Sequence, residues 1–70
     1  MFTLIYYNES NKKITQSFDT EEKIETEFEK LKKSHPGCEY YKYYTKYGDL
    51  VEISVSVNGF VNNGFIISKL

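Results

Sequence analysis

The chain has 70 residues and contains no arginine, alanine or tryptophan, a single proline and a single cysteine. Each shortage excludes something. Cys38 alone cannot form an internal disulfide, and one unpaired thiol in a chain without a secretory leader fits a reducing compartment. Met1-Phe2-Thr3-Leu4-Ile5 is too short for a signal-peptide core, and no apolar run approaches the length that spans a bilayer. These absences predict a soluble, cytoplasmic protein. Charge of one sign is also lacking: nine basic residues, all lysine, face ten acids for a net charge of −1, so no global field draws the protein to nucleic acid or an anionic membrane.

What is abundant is lysine, asparagine, isoleucine, tyrosine and phenylalanine, with seven Tyr and five Phe. All five have AT-rich codons, which points to an AT-rich genome such as a low-GC bacterium, its phage or a mobile element. The length allows one small domain, residues 1–70, because a second core would leave each half too small to fold unaided.

Residues 2–7 (FTLIYY) are β-branched and aromatic, residues 8–13 are polar, and residues 14–18 (ITQSF) read as the return strand of a hairpin. Asp19 followed by Glu22 fits a capping box at the start of a helix. Ile24, Phe28 and Leu31 then form one narrow apolar stripe among charged residues. Acids lie in the first turns and Lys30, Lys32 and Lys33 in the last, which complements the helix dipole. Pro36 and Gly37 place the end near Ser34.

Residues 40–46 and 50–57 form a second hairpin by pattern. In LVEISVSV the residues Val51, Ile53, Val55 and Val57 alternate with Glu52, Ser54 and Ser56, so the valine side faces the core. The register of the partner strand follows from the cost of burying lysine. A three-residue turn at Tyr47-Gly48-Asp49 sets Tyr41 against Val55 and Tyr43 against Ile53, and keeps Lys42 and Lys46 off the core side. Asn63-Gly64 reads as the turn of a last hairpin, with Asn58-Gly59 a bulge in a long strand running on to Val61.

The expected architecture is therefore a two-layer α+β domain of order ββαβββ, with about five mainly antiparallel strands and one helix across one face. The first hairpin is expected to dock beside residues 40–46 or beside residues 65–70. One helix leaves the other face bare, and the register places Tyr40, Tyr44, Phe60, Phe65 and Ile67 on it. These five are candidate anchors for a protein partner or a second copy, with Lys42, Lys46 and Glu52 as the polar rim. The function expected is a small non-enzymatic interaction module, such as a phage or mobile-element accessory or inhibitor protein. The alternative is a single-stranded nucleic-acid binder that stacks bases on Tyr40 and Tyr44 and neutralises phosphates with Lys42 and Lys46.

Other chemistries find little to work with. His35 and Cys38 are one potential ligand pair where zinc takes four, and no third group is placed to orient a Cys/His nucleophile. The helical acids are interleaved with lysines on a solvated face, and neither Gly-Phe pair carries a phosphate-loop Lys-Ser/Thr. No catalytic residue, metal or cofactor is expected.

Overall fold

A computed structural model describes residues 1–61, which form four strands and one helix: β1 (Phe2–Tyr7), β2 (Lys13–Phe18), α1 (Glu21–Ser34), β3 (Glu39–Tyr44) and β4 (Leu50–Ser56). The strands form one mixed sheet in the order β2-β1-β4-β3. β1 pairs antiparallel with β2 and parallel with β4, while β3 and β4 pair antiparallel. The first hairpin thus docks through β1 beside β4 and not beside residues 40–46, while the expected alternative beside residues 65–70 lies outside the described residues. β1 and β4 are the two strands that bury residues on both faces, which suits the centre of a sheet.

The loop joining β1 to β2 is organised by Asn8, whose Oδ1 accepts from the backbone N–H of Ser10 at 2.9 Å and of Lys12 at 3.0 Å. Asn11 adopts φ 61°, a left-handed conformation that asparagine tolerates. The N-cap of α1 is Thr20, one residue later than the expected Asp19: its Oγ1 accepts from the Lys23 N–H at 3.2 Å. Asp19 instead pairs with the Lys23 ammonium at 3.0 Å, and this hydrogen bond and charge hold its carboxyl below the ordinary value. The helix ends at Ser34 as the proline requires, and the His35 N–H donates to the Leu31 carbonyl at 2.9 Å.

Helix and sheet enclose a core of Leu4, Ile24, Phe28, Leu50, Ile53 and Val55, flanked by Phe2, Tyr6, Phe18, Leu31 and Cys38. The register supplies it directly: Leu4 lies opposite Ile53 and Tyr6 opposite Val55. All six core residues are essentially removed from water, and at about 1.5–3 kcal/mol each they provide the main stabilisation of so small a domain.

The β3–β4 register differs by one residue from the sequence expectation. Tyr40 lies opposite Val55, Lys42 opposite Ile53 and Tyr43 opposite Glu52, and then a bulge brings Tyr44 opposite Leu50. Val51 is the extra residue. It is 39% exposed, while Leu50 takes its place in the core. The turn is correspondingly longer. Thr45 spans it, donating its N–H to the Asp49 carbonyl at 2.8 Å and accepting on Oγ1 from the N–H groups of Tyr47 and Asp49, with Gly48 at φ 90°.

β4 also stops earlier than expected, at Ser56, and the chain turns through Asn58 and Gly59 (φ 86°) instead of continuing as a strand to Val61. The Asn58 Nδ2 donates to the Glu9 carbonyl at 2.8 Å and to Asn11 Oδ1 at 2.9 Å, tying this return to the β1–β2 loop. The expected Asn63-Gly64 turn and the fifth strand lie outside the described residues.

Candidate functional site

The one-residue shift redistributes the predicted site. Tyr40 and Lys42 stand on the helix side of the sheet, not on the bare side. Tyr40 meets Phe28 edge-on with ring centroids 4.8 Å apart. The Lys42 ammonium reaches Glu25 of α1 at 3.1 and 3.2 Å and lies 4.9 Å from the Phe28 ring centroid. Burial opposes the Lys42 charge, but the hydrogen bond and charge of Glu25 more than offset it, and its pKa is raised. The expectation from sequence is that Lys42 on the core side of the sheet would bury its ammonium. At the sheet margin, however, the long stem covers the core while the head meets a carboxylate, so the register costs little.

Lys32 lies over the same two rings, 4.9 Å from the Phe28 centroid and 5.6 Å from that of Tyr40, while also pairing with Glu29 at 3.3 Å. Phe28 is therefore flanked by two ammonium groups and edged by a tyrosine, an arrangement in which the negative ring faces stabilise the cations. The contact joins α1 to β3.

The bare face is only partly bare. Phe60 lies on it as expected, yet it is 4% exposed rather than a free anchor. Its ring meets Tyr7 of β1 at 6.3 Å and Tyr41 of β3 at 5.2 Å, reaching strands on both sides of β4, and its N–H donates to Glu39 Oε1 at 2.8 Å. Ser54 and Ser56, read from the sequence as solvent-facing, are buried between those strands. Glu52 is half-buried on this face and accepts from the Ser54 hydroxyl at 3.3 Å. Burial, with Glu52 adding charge, raises the pKa of Tyr7 and Tyr43. Phe65 and Ile67 lie outside the described residues.

The exposed aromatics gather instead along β3 and the turn after it. Tyr40 is 46% exposed, Tyr44 56% and Tyr47 81%, with Lys46 exposed and its ammonium 5.3 Å from the Tyr47 ring centroid. β3 is an outer strand, and among the described residues nothing pairs with its far edge. Tyr40, Lys42 and Tyr44 therefore share the helix side of β3, with Lys46 in the turn after it, and not the open face expected for all four. Tyr47 and Val51 were missed. Tyr47 was assigned to the turn, and Val51 is turned out only by the bulge.

A second polar cluster sits where the β1–β2 loop meets the end of α1. The Tyr6 hydroxyl lies 3.4 Å from Glu9 Oε1 and 3.3 Å from His35 Nε2, and that nitrogen is 3.7 Å from the Glu9 carboxylate. Burial, then Glu9, raises the Tyr6 pKa. Burial likewise pushes the Cys38 thiol up. Among the described residues no group of three or more His, Cys, Asp or Glu is arranged to hold a metal ion, and no helix is long and apolar enough to cross a membrane.

Among the described residues, the fold and site define an α+β protein with one helix, a four-stranded mixed sheet and a tyrosine-lined edge. No family model, curated protein or solved structure matches the chain.

Proposed function

We propose that this is a small non-enzymatic protein-binding module whose docking surface is the β3 edge with Tyr40, Tyr44 and Tyr47. One observation carries the reading: β3 has an edge that no other described residue pairs with, and three exposed tyrosines lie on it and on the turn that follows. Backbone groups on such an edge bind an added strand, and half-exposed tyrosines supply contact area at low entropic cost. Lys46 and the bulged Val51 border the patch.

The single-stranded nucleic-acid reading loses support from the same geometry. Lys42 is neutralised by Glu25 and Lys32 by Glu29, which leaves Lys46 as the unpaired cation nearest the tyrosines among the described residues. Phosphate binding relies on several free cations.

The test compares the protein with a Tyr40→Ser/Tyr44→Ser/Tyr47→Ser variant as immobilised bait, followed by titration of each captured protein into the isotope-labelled chain. The reading expects a partner that is lost with the triple variant and perturbs the β3 amides first. A partner that leaves those amides unmoved, or steeply salt-sensitive binding to a single-stranded oligonucleotide, overturns it.

A further inference from the structure

The β3 edge is complementary to itself. Resting on the docking edge just described, we propose that the strand it accepts is β3 of a second copy, running antiparallel about a two-fold axis at Tyr41.

The axis follows from which side chains can oppose one another. In an antiparallel pair, residues directly opposite share a face, so a two-fold axis perpendicular to the sheet must fall on a residue and keep both helices on one side. An axis at Lys42 sets two lysines directly opposite, which repel. An axis at Tyr43 overlaps the strands only over residues 42–44. An axis at Tyr41 overlaps residues 39–43 and leaves no like charges opposed. On the helix side it sets Tyr40 against Lys42 of the second copy, a ring against a lysine stem. On the other side Tyr41 meets Tyr41, and Glu39 stands opposite Tyr43, a carboxylate near a phenol.

Edge lysines normally repel an incoming strand. Here Lys42 is drawn back to Glu25 at 3.1 Å and over Phe28, which offsets its charge enough for Tyr40 of a second copy to face it but not for a second ammonium directly opposite. The other outer strand, β2, differs. Lys13, Thr15, Gln16 and Ser17 are all exposed on it, and no aromatic pair would form. An edge pairing this short covers less than the roughly 1,000 Å² of a stable interface, so the dimer is weak, with a Kd of about 10–1,000 µM.

The experiment has two arms. Sedimentation equilibrium of the whole chain from about 10 µM to about 1 mM reads the association over the range in which so small an interface dissociates. Disulfide trapping in a Cys38→Ser background reads the register, with Tyr41→Cys and Tyr43→Cys compared under mild oxidation. Opposed residues in antiparallel strands have Cα atoms about 4.5–5.5 Å apart, within reach of a disulfide. Tyr43 and its counterpart stand about 13 Å apart along the strands in this register, outside that reach. The proposal expects a concentration-dependent dimer and cross-linking of Tyr41→Cys about tenfold or more faster than of Tyr43→Cys.

A chain that stays monomeric throughout, or equal or faster linking through Tyr43→Cys, overturns it. Should Tyr41→Cys not fold, Glu39→Cys/Tyr43→Cys takes its place, since those two positions oppose each other across the axis and are too far apart to link within one chain. Linking is then expected, and its failure also overturns the proposal. A monomer removes the self-pairing alone, because the wider docking reading is decided by the partner titration and the β3 amides.

Discussion

Lys42 holds the most informative position at the level of single residues, because it puts a charge opposite Ile53 and pairs that charge with Glu25. Both side chains remain partly in water, so solvent screening keeps the pair modest. Glu25→Gln should cost about 0.5–1 kcal/mol in urea unfolding, with a similar coupling energy in a Glu25/Lys42 double-mutant cycle. Phe28→Ala, by contrast, empties the fully buried ring site beneath Tyr40 and should cost about 3–5 kcal/mol, most of the stability of a domain this size.

The shifted groups also fix the response to alkali. Tyr6, Tyr7 and Tyr43 have raised pKa values through burial, and Lys42 has one raised by Glu25 despite its burial. In each case the folded state holds its proton more tightly than the unfolded state. Their contribution is therefore complete below the ordinary values of 10.0 for tyrosine and 10.5 for lysine, and is lost as pH rises through the folded values. Stability measured by circular dichroism should fall as pH rises above about 10, with three tyrosines ionising late by ultraviolet absorbance.

Among the secondary-structure elements, those with strong local signals were readable and those set by long-range contact were not. The helix and the first hairpin are announced by an apolar stripe, by Pro36 and by polar loop residues. The N-cap fell to Thr20 because two adjacent cap formers compete, and only the chain path after β2 decides between them. Thr20→Ala should cost about 1 kcal/mol in thermal or urea unfolding, well above the effect of Asp19→Ala. The β3 register was misread because a bulge at Val51 is invisible to alternation and because the Lys42 partner lies 17 residues away on α1. That single slip moved Tyr40, Lys42 and Tyr44 to the helix side. Gly48 has open space around it but φ 90°, so Gly48→Ala should destabilise the β3–β4 hairpin by about 1 kcal/mol through backbone strain alone.

For the whole molecule, the sheet is covered on both sides by different means: a helix on one, and the returning residues around Phe60 on part of the other. The sequence showed that one helix cannot shield two faces, but it did not show that the chain would turn at Gly59 and do so itself. Phe60→Ala should cost about 3 kcal/mol or more and expose the Tyr7–Tyr41 surface, read as increased binding of a hydrophobic dye to the still-folded fraction.

The parallel pairing of β1 with β4 has a temporal consequence. During synthesis the β1–β2 hairpin emerges first, but its inner neighbour, Leu50–Ser56, is among the last parts made of the residues described here. An isolated hairpin is marginal in water, so the nascent protein must wait, holding Leu4 and Tyr6 without their permanent neighbours. Closure then arrives in one late step spanning almost fifty residues, which places this small domain among the slower folders for its length.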